Sequence, residues 1–328
     1  MPPTWQDVHL SALRDASRAH QELGIDVSRP IDPFEALGSL GIIAVRRPLN
    51  GAAGLYIPSS PPDRDAPGVL INADHPVSKQ RYTAAHELSH HRRDRLAILD
   101  LETEVLARPG ASGDPREMFA EAFAAWFLMP KDLVARMMNV IGVSPASVTP
   151  AGAYRLALEL GTSYQATVHH LGDLKFITSF LRRQLLRASP SSVKEGLGAR
   201  VVAENLRRDV WQIDASRDLA PIRAAAGDVV VLDVEETPST GFLWRLDAPE
   251  GISVVGDAWT SQSDDPLSTK GVHRFWLSLD SPGASTVFLS KGRPWLDEVI
   301  GRTEILIQAA ERPAPGIVEP DLLAAATA

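Results

Sequence analysis

The chain has 328 residues, 44% of them hydrophobic and 23% charged, with a formal net charge of −8. That length favours two or three domains, and the acidic balance argues against a protein whose main task is to coat nucleic acid. With no cysteine, disulfides, thiolate metal ligands and a cysteine nucleophile are excluded.

The first twenty residues, MPPTWQDVHLSALRDASRAH, mix charges and carry no continuous apolar run, so no signal peptide is expected. No apolar run approaches a membrane span, and a cytoplasmic location is expected. From 4 to 24, Val8, Leu10, Leu13, Ala16, Ala19 and Leu23 recur at helical spacing as far as Gly24. SRPIDPFEALGSLG reads as a short capped helix, and IIAVRR, AAGLYIP and PGVLINA as three strands. A helix follows from about Val77 to Asp94, then a loop at ARPGASGDP. A second long helix runs from about Arg116 to Met138, kinked or split at Pro130.

Residues 148–175 read as two short helices joined by LGTS, the first started by Pro150 and the second capped by Thr162 or Ser163. A longer helix through FITSFLRRQLLRA is expected next, then a Ser/Pro break at 189–192 and a helix in KEGLGARVVAENLRRD. From about 209, short β-type runs with turn clusters between them predict a sandwich or barrel. The tail after 312 is expected to be a loosely ordered end.

The segment YTAAHELSHHRRD holds His86, Glu87 and His90 in a His-Glu-x-x-His spacing. Histidines at i and i+4 leave one face of a helix together and can bind one zinc ion, with Glu87 placed as general base. Apolar Ala84, Ala85 and Leu88 bury this triplet, which is costly without a partner. A third ligand is available in REMFAEAFAAWFLMP. There Glu117 lies among apolar Phe119, Ala120 and Phe123, and Glu121, one turn on, is placed to hold the outer nitrogen of a ligand histidine. Tyr56 and Tyr82 are candidates to stabilise an oxyanion, although packing roles are favoured for both. His91 is assigned to packing or surface, and Arg81 to an ion pair with the second helix.

RYTAAHELSHH followed by EMFAEAFAAWFLMP resembles the ImmA/IrrE family of metallopeptidases, over roughly residues 30–175. The resemblance implies a zincin-like core with zinc on His86, His90 and Glu117 and with Glu87 as base. It also implies a protein substrate of the kind that family cleaves, a helix-turn-helix repressor in mobile-element or stress control. The position of Glu121 is more usually Asn or Asp in that family. YRLALELGTSYQATVHHLGDLK has the length of a helix-turn-helix unit. Its second helix offers Tyr164, Gln165, His169 and His170 but no Arg or Lys before Lys175. Direct DNA binding is therefore disfavoured against a subdomain that closes or serves the peptidase.

Three further stretches stand out: ETPSTGFLWRL, KGVHRFWL and KGRPWLDE. Together they resemble chagasin-type inhibitors of papain-like cysteine peptidases, over roughly 218–310. The resemblance implies an immunoglobulin-like sandwich whose partner-binding loops carry Thr240, Gly241 and Phe242, then Gly271, then Arg293, Pro294 and Trp295. Thr237 stands where that family commonly has Asn, and the middle loop, usually glycine-rich, is reduced around Gly271.

The expected fold is therefore multidomain. It has an α+β zincin-like peptidase core at 1–142, a helical, helix-turn-helix-like subdomain at 143–208, an all-β immunoglobulin-like sandwich at 209–312 and a flexible tail at 313–328. The expected function is a zinc endopeptidase acting on a regulatory protein, with a C-terminal module that binds a cysteine peptidase or another protein. The alternatives are a cysteine-peptidase inhibitor with the zincin part as scaffold, and a DNA-binding stress regulator.

Overall fold

The computed structural model describes residues 5–60, 65–94, 98–101, 114–198, 208–216, 221–262, 270–296 and 298–318. These divide into two compact units, one drawn from Met1–Met138, Leu156–Arg182 and Pro313–Ala328, the other from Asn139–Arg155 and Arg183–Arg312. The stretch 143–208, expected as a subdomain of its own, is shared between them. Among the described residues no helix is long and apolar enough to cross a membrane.

The first unit begins with α1 (Trp5–Glu22), which buries Val8, Ala12, Ala16 and Ala19 and stops at Gly24, whose φ of +62° only a glycine adopts readily. Helix α2 (Pro33–Ser39) starts where the Asp32 side chain accepts from the Phe34 N–H. The three expected strands form as β1 (Ile43–Arg47), β2 (Ala52–Ile57) and β3 (Gly68–Asn72). Two more strands escaped the sequence reading: β4 (Ile98–Leu101), antiparallel to β2, and β13 (Gly316–Ile317), antiparallel to β1. The five-stranded order is β13-β1-β3-β2-β4, with β1 and β3 parallel. Within the tail expected to be loose, Gly316–Ile317 pairs with β1 and the Val318 N–H reaches the Ala44 carbonyl at 2.9 Å; the rest of that tail, 319–328, lies outside the described residues.

Helix α3 (Val77–Arg93) crosses this sheet and carries the His-Glu-x-x-His motif. The expected second long helix is split by Pro130 into α4 (Pro115–Leu128) and α5 (Lys131–Val140), because a proline ring cannot continue the ladder. Helices α6 (Pro150–Leu160) and α7 (Tyr164–Asp173) follow, with Ser163 capping the second. The longer helix expected through 176–188 shrinks to α8 (Ser179–Leu185). Lys175 takes a φ of +62° after α7, and the Thr178 hydroxyl accepts from the Leu181 N–H and so sets a late start. The Ser/Pro stretch at 189–192 starts a helix where a break was expected. Ser189 and Ser192 form a reciprocal cap and Pro190 is the first residue of α9 (Pro190–Gly196). The later part of that expected helix, 199–207, lies outside the described residues.

The second unit holds two four-stranded sheets. One is β5-β7-β10-β9, from β5 (Val210–Asp214), β7 (Val229–Glu236), β9 (Ile252–Ser261) and β10 (Gly271–Leu279). The other is β6-β12-β11-β8, from β6 (Ile222–Ala225), β8 (Leu243–Asp247), β11 (Gly283–Arg293) and β12 (Glu298–Ala310). Buried Val231, Leu277, Val287, Leu289, Ile305 and Ile307 supply the core of this β-sandwich. Trp276 is buried too, and its indole N–H donates to the Leu197 carbonyl at 2.9 Å.

Candidate metal centre

Helix α3 serves two neighbours with two sides. Its Thr83, Glu87 and His91, each four residues on from the last, share one side, and that side lies on β2. There the Tyr56 hydroxyl meets His91 Nδ1 at 2.9 Å, and a Cβ added at Gly54 would fall 2.5 Å from Glu87 Oε1. The adjoining face, carrying His86 and His90, reaches α4. Asp114 caps α4 by accepting from the Arg116 N–H at 2.9 Å, and Pro115 begins it, so Glu117 falls in the first turn.

Three ligand atoms converge as a result. His86 Nε2 lies 3.1 Å from His90 Nε2 and 3.2 Å from Glu117 Oε2, while His90 Nε2 lies 3.6 Å from Glu117 Oε1. Both rings are buried and Glu117 is half-buried, and the three form the single metal-capable group of His, Asp and Glu found among the described residues. Burial alone would raise the Glu117 carboxyl. Hydrogen bonds from His86 and His90 and their charge outweigh it and hold the group well below the usual carboxylate range.

The donor set suits a divalent ion. Two imidazole nitrogens and a carboxylate oxygen turned towards one point offer the N/O donor set of a three-ligand metal site. Ligands at about 2.0–2.1 Å from a tetrahedral ion stand about 3.3–3.4 Å apart, and the three separations here bracket that figure.

The outer nitrogen of His90 is taken by Asp94, whose Oδ2 lies 3.0 Å from Nδ1. The sequence reading assigned this kind of contact to Glu121. The Glu121 backbone carbonyl accepts from the Tyr82 hydroxyl at 2.8 Å, and burial raises that phenol far above its ordinary range. Asp94 could have been found from the sequence, since it stands four residues after His90. Tyr56 and Tyr82 are both engaged in packing hydrogen bonds, in keeping with the roles favoured for them. Arg81 donates to the Ile31 carbonyl at 2.5 Å and lies 3.8 Å from Asp32, at the start of α2. His170 is turned into the core, with Nε2 2.8 Å from the Met129 carbonyl.

In the second unit, two of the expected partner loops meet. Gly241 closes a short turn at φ +79° and has the Trp295 ring directly over it, where a Cβ would come within 2.8 Å. The Arg293 guanidinium stands 4.4 Å above the Phe242 ring, and the Thr240 hydroxyl donates to the Thr237 carbonyl at 2.7 Å. Trp295, two residues on from Arg293 and next to Pro294, is 67% exposed. Gly271 is not at a loop tip. It is the first paired residue of β10, opposite Glu236 and Ser261, and Trp259 covers it. Residues 263–269, the tip of that expected loop, lie outside the described residues.

Residues 38–171 match the family model of the IrrE N-terminal-like domain, peptidase family M78. Residues 223–307 match that of the chagasin family peptidase inhibitor I42. No curated protein matches the chain. Among solved structures, the cysteine protease inhibitor EhICP2 from Entamoeba histolytica aligns at 18% identity, over 31% of this chain and 96% of its own, with a TM-score of 0.29. Amebosin aligns at 18% identity over 32% and 98%, with a TM-score of 0.27. PbICP-C, solved in complex with falcipain-2, aligns at 17% identity over 32% and 91%, with a TM-score of 0.22.

Proposed function

We propose that this chain, which joins an IrrE N-terminal-like region of a peptidase family to a C-terminal chagasin-like β-sandwich, is a zinc-dependent endopeptidase of zincin type. The convergence of His86, His90 and Glu117, with ligand atoms 3.1–3.6 Å from one another, carries this reading. These three residues would hold the ion. When bound, zinc lowers the pKa of water and polarises a peptide carbonyl.

The rest belongs to the protein. Glu87, fully buried against β2, accepts the proton of the attacking water and returns it to the leaving amine. Asp94 accepts from Nδ1–H of His90, which leaves Nε2 unprotonated and directed at the ligand cluster. Burial of His86, His90 and Glu87 keeps bulk water away from these groups. The substrate class is another cytoplasmic protein of regulatory type, for which a helix-turn-helix repressor is the candidate.

Glu87→Gln removes the base and leaves all three ligands. It is expected to retain zinc at the wild-type stoichiometry and to abolish cleavage of the protein encoded beside it. Cleavage at the wild-type rate by that variant would end this mechanism.

A second reading concerns the sandwich, which we assign as an immunoglobulin-like binding module for a papain-like peptidase or another protein. Exposed Trp295 on the turn after Arg293 supports it, because a large rigid ring in solvent is the kind of anchor that interfaces bury.

A further inference from the structure

We infer that Gly54 of β2 is a positioning residue for the carboxylate of Glu87; this rests on the reading of Glu87 as the base. The observation is steric. A Cβ at position 54 would lie 2.4 Å from Thr83 Cγ2, 2.5 Å from Glu87 Oε1 and 3.3 Å from the Leu70 carbonyl oxygen. The first two are shorter than side-chain atoms tolerate, so the bare backbone of β2 forms the floor on which the carboxylate lies. The glycine is required by space and not by backbone angle, since its φ lies outside the left-handed range in which other glycines of the chain sit.

The strand is shaped to the same end. Pairing between β2 and β4 slips between Ala52 and Gly54: Ala52 faces Leu101 and Gly54 faces Asp100, so Ala53 has no partner on β4. A bulge of this kind bends a strand and re-aims what lies on it. Two residues further on, Tyr56 shares the same strand face and fixes His91 by its hydroxyl, which pins the helix over the strand at a second point. Helix α3 is therefore held close to β2 over two turns, and Glu87 has the glycine beneath it and the helix above. None of the three nearest atoms that a Cβ at Gly54 would meet belongs to His86, His90 or Glu117. Thr83, β-branched and on a helix, cannot turn aside freely, whereas the tip of Glu87 can. A methyl group at position 54 is thus expected to displace the carboxylate.

The test is a double-mutant cycle on the full-length, zinc-loaded protein, read from urea midpoints, in a Thr83→Ser background that removes the second clash. Gly54→Ala is expected to lower the midpoint when Glu87 is present and to restore most of that loss when combined with Glu87→Ala, whose cavity accepts the methyl group. Zinc content should remain at the unsubstituted value in every variant. If Gly54→Ala does not fold with Glu87 present but folds in Glu87→Ala, the same coupling is read. An equal midpoint loss in both backgrounds, or failure to fold in both, overturns the inference. The cycle needs no substrate, so its outcome is separate from that of the cleavage assay with Glu87→Gln, which alone decides whether Glu87 is the base.

Discussion

His90 is held from both sides: its Nδ1 lies 3.0 Å from Asp94 Oδ2, while its Nε2 lies 3.1 Å from His86 Nε2. A carboxylate on the outer nitrogen fixes the tautomer that leaves the inner one free to ligate, and raises its basicity. Asp94→Ala is therefore expected to weaken zinc binding about 10–100-fold while leaving the fold intact. Competition against a chromophoric chelator measures this. An unchanged affinity would remove Asp94 from the site.

The buried His170 makes stability depend on pH in a defined window. Burial is the main cause, opposed in part by the hydrogen bond to the Met129 carbonyl, and it lowers the pKa from 6.5 to about 4. The unfolded chain therefore binds a proton more readily than the folded one between these values. The contribution is fully present above about pH 6.5 and is lost as the pH falls towards 4, by on the order of 3 kcal/mol. His170→Gln, which keeps a donor but does not titrate, is expected to flatten this slope. Urea midpoints at pH 7 and pH 5 can be read from Trp126, whose ring meets His170 edge-on at 4.7 Å between centroids. The same slope in both proteins would contradict the assignment.

Two tryptophans of the sandwich should respond in opposite ways. Trp295 is largely in solvent, so Trp295→Ala is expected to change stability by less than about 0.5 kcal/mol and to weaken any capture of a papain-like peptidase. Trp276 is buried and donates to the Leu197 carbonyl, so Trp276→Ala should cost about 3–5 kcal/mol. Calorimetry combined with inhibition of papain separates the two effects. A destabilised Trp295→Ala variant would return that ring to the core.

Local chemistry made part of this molecule legible in its sequence. The i, i+4 histidines, Glu117 near the start of the second helix and the splitting effect of Pro130 all depend on neighbours a few residues apart. What was missed depends on pairing or on competition between caps. Strands β4 and β13 exist only because β2 and β1 offer edges to them. Ser189-Pro190 reads equally as a breaker or as a helix start, and the reciprocal bond with Ser192 decides it. Asp94 escaped the sequence reading because attention went to the acids of the partner helix and not to one at the end of the same helix. Gly271 was placed in a loop because nothing local reveals that Glu236 and Ser261 flank it.

The metal itself gives the most direct test. Elemental analysis of the purified chain should find one zinc per chain in the wild type and in Glu87→Gln, and a marked loss in His86→Ala, His90→Ala and Glu117→Ala. Wild-type protein that takes up no zinc on dialysis against the ion, or a Glu117→Ala variant that holds it as well as the wild type, would contradict the account.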